Sequence, residues 1–184
     1  MDSRRAPAPE FSRPFEVDRL GADPVAVEIA ARPDELAALA RRLGLPGLAR
    51  LEARLAVRRR AGGMVLVEGG LSADAVQACV VTLDPVPARV EHRLAALFAP
   101  PELLGDVADV DPDAEEDPPE AIEDGRIDLG ELAAQHLSLA LDPYPRAPGA
   151  ALDPALSAPD PDEPEEEERR DTPFAALARL RPPR

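Results

Sequence analysis

Apolar and polar residues alternate over long runs in the first hundred positions, the period-two signature of strands that bury one face. Leu51, Ala53, Leu55 and Val57 alternate with Arg50, Glu52, Arg54, Ala56 and Arg58. Val86, Ala88, Val90, His92, Leu94, Ala96 and Phe98 form a second run, whose other face carries Arg89, Glu91 and Arg93. Between them, Gly62-Gly63 predicts a hairpin turn before a return strand from Met64. Gly69-Gly70 predicts a bulge or bend before Leu71 to Val81 continues. Upstream, Phe15–Leu20 and Val25–Ala30 read as extended segments joined by a turn at Gly21-Ala22-Asp23-Pro24. A one-sided antiparallel sheet is the expected product.

The period lengthens to that of a helix in three places. Pro33 stands at a favoured first helical position, with Asp34 and Glu35 in the first turn and Leu36, Leu39, Ala40 and Leu43 at helical spacing before Gly44. Asp128 is the expected N-cap of a second helix, with Glu131 at capping-box spacing. Its stripe is Leu129, Leu132, Ala133, His136, Leu137, Ala140 and Leu141, and Asp142-Pro143-Tyr144-Pro145 ends it. Pro173 to Leu180 predicts about two further turns, on which Phe174, Leu177 and Leu180 would form an apolar anchor. The fold class expected is α+β: an antiparallel, curved or barrel-like sheet with two packed helices, an acidic disordered linker and a C-terminal tail.

Charge divides the chain. Its 184 residues hold 21 basic side chains, all arginine, and 36 acidic ones, a formal net charge of −15. Residues 1–100 have 14 Arg and 13 acids, while residues 101–184 have 7 Arg and 23 acids. Two runs that mix Pro with carboxylates, one within Glu102–Asp128 and one at Asp160–Glu168, lack an apolar period and read as extended and poorly ordered. An EF-hand reading of the first fails because Pro and Ala break the order of ligands. The expected organisation is a disordered N-terminus over residues 1–9, an α+β domain over 10–150 with an acidic linker at about 102–126, and an acidic tail over 151–184.

Little catalytic chemistry is available. Both histidines, His92 and His136, fall on apolar faces and read as core residues, and Cys79 reads as a buried thiol. One cysteine excludes a disulfide framework, and neither a metal-ligand spacing nor a Gly-rich phosphate loop occurs. The expectation is a protein that is not an enzyme and takes no cofactor, metal or small-molecule substrate. No apolar run of membrane-spanning length and no signal peptide is visible, so a cytoplasmic protein without membrane contact is expected. The arginines are the remaining candidates. Arg50, Arg54, Arg58 and Arg60 on one strand and Arg89 and Arg93 on another would share one basic patch, either plain solvated surface or a contact face for RNA phosphates or an acidic partner. With no aromatic residue interleaved, base stacking is not expected.

The stretch from Gly70 to Val86, which includes Cys79-Val80-Val81-Thr82-Leu83-Asp84-Pro85, resembles the central motif of the YceD-like family of large ribosomal RNA subunit accumulation proteins. Ile127-Asp128-Leu129-Gly130-Glu131, Pro143-Tyr144-Pro145-Arg146 and Pro173-Phe174-Ala175-Ala176-Leu177 resemble later motifs of that family, and Glu10-Phe11-Ser12-Arg13-Pro14 looks like its alphaproteobacterial members. Many members carry Cys-x-x-Cys where this chain has Cys79 and Thr82, a departure that removes a two-thiolate metal or redox reading. The resemblance implies a non-enzymatic cytosolic factor in the accumulation or processing of large-subunit (23S) ribosomal RNA, binding ribosomal protein, rRNA or both. The rival reading is an acidic adaptor that docks a partner through Phe174, Leu177 and Leu180.

Overall fold

The long alternations fold into a ribbon of three strands, around which shorter elements collect. The computed structural model describes residues 9–104 and 118–151. The chain divides into two units, Met1–Ala150 and Ala151–Arg184, and all elements described here lie in the first. They are β1 (Pro14–Glu16), β2 (Val25–Ala30), α1 (Pro33–Arg42), β3 (Gly47–Arg59), β4 (Val65–Ala78), β5 (Pro85–Ala99), β6 (Glu120–Ala121), β7 (Arg126–Asp128) and α2 (Leu129–Ala140). The helix expected at Pro173–Leu180, with Phe174, Leu177 and Leu180, lies outside the described residues.

One sheet has the order β2-β3-β4-β5-β6, antiparallel except for the short parallel pair β5–β6, and β1 pairs with β7 in a separate two-stranded sheet. The fold is the expected α+β, and of the two forms expected for the sheet, curved or barrel-like, the described residues do not close a barrel. The sheet's end strands are six and two residues long and do not pair with each other, whereas a barrel needs its last strand hydrogen-bonded to its first.

The inner face holds the core. Leu51, Leu55 and Val57 of β3, Val67 and Leu71 of β4, and Leu94 and Phe98 of β5 are buried, packed in one cluster with Leu39 of α1 and Leu129, Leu132 and Leu137 of α2. Each such side chain contributes about 1.5–3 kcal/mol by leaving water. Asp128 caps α2 as its sequence position predicts, accepting from Gly130 N–H at 3.0 Å and Glu131 N–H at 3.2 Å. Glu131 does not complete the capping box, because its carboxylate takes two bonds from Arg42, at 2.8 and 2.6 Å.

Three local expectations are corrected. Only Pro14–Glu16 of the first extended segment is a strand, followed by a 3-10 turn over Val17–Arg19. The turn lets both Val17 and Leu20 point into the core, and Arg59 holds it by donating to the carbonyls of Leu20 and Val17, each at 3.0 Å. No bulge occurs at Gly69-Gly70, where pairing with Leu55 and Arg54 is continuous; the irregularity lies between Leu48 and Arg50. Glycine at 69 permits a close approach instead, since a Cβ there would strike the Arg54 carbonyl and lie 2.9 Å from Leu55 Cα. Finally, the acidic linker does not extend to residue 126. Residues 118–128 include β6 and β7, anchored by the buried Ile122 and Ile127.

Candidate binding surfaces

The outer face of the sheet is built by the side chains that alternate away from the core. Cross-strand register sorts them into rows: Arg58 with Leu66 and Leu97, Ala56 with Glu68 and Ala95, Arg54 with Gly70 and Arg93, Glu52 with Ser72 and Glu91, Arg50 with Asp74 and Arg89. Glu28 of β2 stands beside Arg54. The face therefore carries Arg50, Arg54, Arg58, Arg89 and Arg93 against Glu28, Glu52, Glu68, Asp74 and Glu91, and its formal charge sums to zero.

Most of these charges are paired. Arg50 Nε lies 2.8 Å from Asp74 Oδ2, and its Nη1 lies 3.2 Å from Glu52 and donates to Ser72 Oγ at 3.0 Å. The hydrogen bond with Arg50 lowers the Asp74 pKa and raises that of the guanidinium. Arg58 pairs with Glu68 at 3.0 Å, Arg89 with Glu91 at 3.1 Å and Arg54 with Glu28 at 3.3 Å. Five of the six arginines singled out in the sequence thus share a face, but as a mosaic of both signs and not as a basic patch. Strand propensity and alternation reveal which side a residue faces; only register shows what stands beside it. Arg60 stands at the edge of the face, where it shares a cavity wall with Leu66, Ala95 and Leu97. It lies one residue past β3, where its N–H closes the β3–β4 turn on Met64 O at 2.8 Å.

At the centre of the face, Gly70 leaves a gap between Arg54 and Arg93. A cavity of about 530 Å³ opens there, with Glu52, Ser72 and Glu91 also on its walls. Arg54 is 83% exposed even in its ion pair, and Arg93 is exposed. These two are the most available cations of the face.

A second surface lies at the β4–β5 turn. Cys79 is fully buried there. Its sulfur accepts from the N–H groups of Val81 and Thr82, each at 3.4 Å. Hydrogen bonds from Ala147 N–H, from the Thr82 hydroxyl and from these turn amides lower the thiol pKa to about 6. The position is thus the buried thiol expected, with the added role of an acceptor that gathers a turn. Cys79 N–H donates to Asp84 O, Leu83 N–H to Cys79 O, and Val80 N–H to Pro145 O in the loop after α2, each at 2.9 Å. Gln77, itself buried, donates to Asp142 O at 2.8 Å. Above this scaffold Val80, Leu83 and Tyr144 are exposed, and a groove of about 660 Å³ beside them is lined by Leu43, Leu45, Val80, Leu139 and Pro143.

The two histidines meet. His92 from the inner face of β5 and His136 from α2 have ring centroids 5.6 Å apart and tilted by 31°, each half-buried at the packing of strand on helix. Sequence reading also missed the buried Glu35, which takes paired bonds from Arg13 at 2.9 and 2.8 Å and another from Arg32 N–H at 2.7 Å. Arg13 above all, with Arg32, holds its pKa down at about 2. These contacts tie the N-terminal segment to α1.

Among the described residues no group of three or more metal-ligating side chains occurs, and no helix is long and apolar enough to cross a membrane. The family model described as "Large ribosomal RNA subunit accumulation protein YceD" matches residues 67–181, from within β4 onward. No curated protein and no solved structure matches the chain.

Proposed function

The chain belongs to the YceD family, named for accumulation of the large ribosomal RNA subunit, and from that premise we propose that it is a non-enzymatic binding factor of large-subunit biogenesis. It works in the cytoplasm by docking on a ribosomal protein, with contact to rRNA secondary. The observation that carries this reading is the striping of the outer sheet face. Binding to a phosphate backbone draws on cations free to displace condensed counterions. Here the arginines stand among an equal number of carboxylates, and four of the five are already ion-paired. A folded protein, in contrast, presents both signs of charge and can match rows of alternating sign. The cavity at Gly70, with Arg54 and Arg93 beside it, is the natural centre of that contact. A binding role also accords with Cys79, whose sulfur is buried and occupied by hydrogen bonds that hold the turn.

The test uses the full chain and purified large-subunit particles, with co-sedimentation and crosslinking as readouts. The wild type is expected to co-sediment and to crosslink to ribosomal protein. Arg54→Glu with Arg93→Glu should weaken association about tenfold, the equivalent of ~1.4 kcal/mol. Crosslinks confined to RNA, with affinity falling steeply as salt rises, would make it an RNA-backbone binder. Absence of any association would overturn the ribosomal reading and bring forward the adaptor reading.

A further inference from the structure

We propose that the β4–β5 turn and the loop after α2 form one rigid protein-docking knob, in which Leu83 enters an apolar pocket on a basic partner. The inference rests on the ribosomal reading above and gives that partner a second, more specific point of contact.

Leu83 carries the argument. Its φ is +63°, in the left-handed region, and its side chain is 77% exposed. A leucine there meets a clash between Cβ and the backbone that glycine avoids, and asparagine tolerates the same region through its short polar side chain. Exposure means that the fold gains almost nothing from the apolar side chain. A residue costly to the backbone and unrewarded by the core points to a contact made with another molecule.

The scaffold suits that role. The turn is closed by Leu83 N–H on Cys79 O and Cys79 N–H on Asp84 O, gathered underneath by the Cys79 sulfur, and tied to the neighbouring loop through Val80 N–H on Pro145 O. In that loop Tyr144 N–H donates to Asp142 Oδ1 at 2.9 Å, and the Tyr144 side chain is 73% exposed. The knob therefore presents an aliphatic and an aromatic anchor whose backbones are ordered before binding, which removes part of the entropic cost of association.

Charge names the partner's chemistry. Asp84 follows Leu83 and Asp142 precedes Tyr144 by two residues, against Arg146 as the one cation of the two segments, on a chain with net charge −15. A partner with an apolar pocket and a basic rim fits, and long-range attraction to the acidic chain favours its approach. The knob is also continuous with the striped face. Asp74 and Arg89 lie four residues from the ends of β4 and β5 at the turn, ~13 Å at ~3.3 Å per residue.

The decisive variant is Leu83→Gly in the full chain, because glycine relieves the backbone while deleting the anchor. The expected result is a thermal midpoint equal to or above the wild type and association with large-subunit particles at least tenfold weaker. Leu83→Asn should behave alike. A photoreactive phenylalanine at position 83 should crosslink to a basic ribosomal protein. Wild-type association in Leu83→Gly would overturn the inference, as would crosslinks from position 83 only to RNA or to a second copy of this chain. If association falls in the Arg54/Arg93 variant and not in Leu83→Gly, the ribosomal reading stands and the knob does not. If the wild type itself fails to associate, both fall together.

Discussion

Two turns join the three long strands of this protein, and they meet the same demand with opposite residues. Between β3 and β4 the left-handed positions are Gly62 and Gly63, with φ of +73° and +78°, where neither residue has a Cβ to clash. Between β4 and β5 the left-handed position is Leu83, with φ of +63°. The first turn reaches its left-handed conformation without a side chain to clash. The second is strained, displays an apolar side chain, and is bonded to a buried sulfur and a neighbouring loop. Where a chain accepts strain that glycine would relieve, the position is best understood by what it presents and not by what it packs.

The largest effect comes from the core beneath both turns. Leu55 is 3% exposed, so Leu55→Asp buries a carboxylate and deletes core packing, a loss of roughly 5 kcal/mol or more against a typical domain stability of ~5–15 kcal/mol. Circular dichroism and chemical denaturation should show an unfolded or barely folded chain.

Next is the sulfur acceptor that only the second turn possesses. Cys79 titrates near 6 in the folded chain, well below its ordinary 9.0. Between these values the unfolded chain binds more protons than the folded one, so stability should rise as pH increases from about 6 to about 9 and be lost as pH falls back through that range to about 6, below which this group adds no slope. Denaturant midpoints across that range should show the slope in the wild type. In Cys79→Ala the slope should vanish and the midpoint should drop, since the turn amides lose their acceptor.

Exchanging the turn residues gives a smaller pair of opposite sign. Gly63→Leu should destabilise by about 1–2 kcal/mol through the left-handed clash. Leu83→Gly should leave stability unchanged or raise it by up to about 1 kcal/mol, the relief of strain being partly offset by the freer unfolded chain. If both glycine and leucine prove neutral at both positions, the contrast between the turns has no energetic basis. Smallest of all, Arg54→Glu with Arg93→Glu should shift stability by about 0.5 kcal/mol or less, because both side chains are exposed and surface pairs contribute little. Thermal melts of that variant serve as the control for its binding defect.

Local pattern made much of the architecture legible. Alternation marks the inner faces of β3 and β5, Gly62-Gly63 marks their first turn, and Asp128 marks the start of α2. Each of these is a short-range signal, in which a residue's own conformational preference and its neighbours within a few positions decide the outcome. The candidate site was legible only in part. Arg50, Arg54, Arg58, Arg89 and Arg93 do share one face, yet Glu28, Glu68 and Asp74 come to stand among them from other strands, and nothing near each arginine in the chain announces that.

What this chain determined by sequence alone is therefore its inside and outside, its turns and caps, its divided charge and its family. The tertiary structure decided that β1 would pair with β7, that the sheet would stay open, that four of the five arginines on its outer face would pair with carboxylates, and that Cys79 would gather the turn bearing Leu83. The division has a physical cause. Propensity and periodicity act over a few residues, whereas strand register, ion pairing and the satisfaction of buried polar groups join residues tens of positions apart and exist only once the chain has closed on itself.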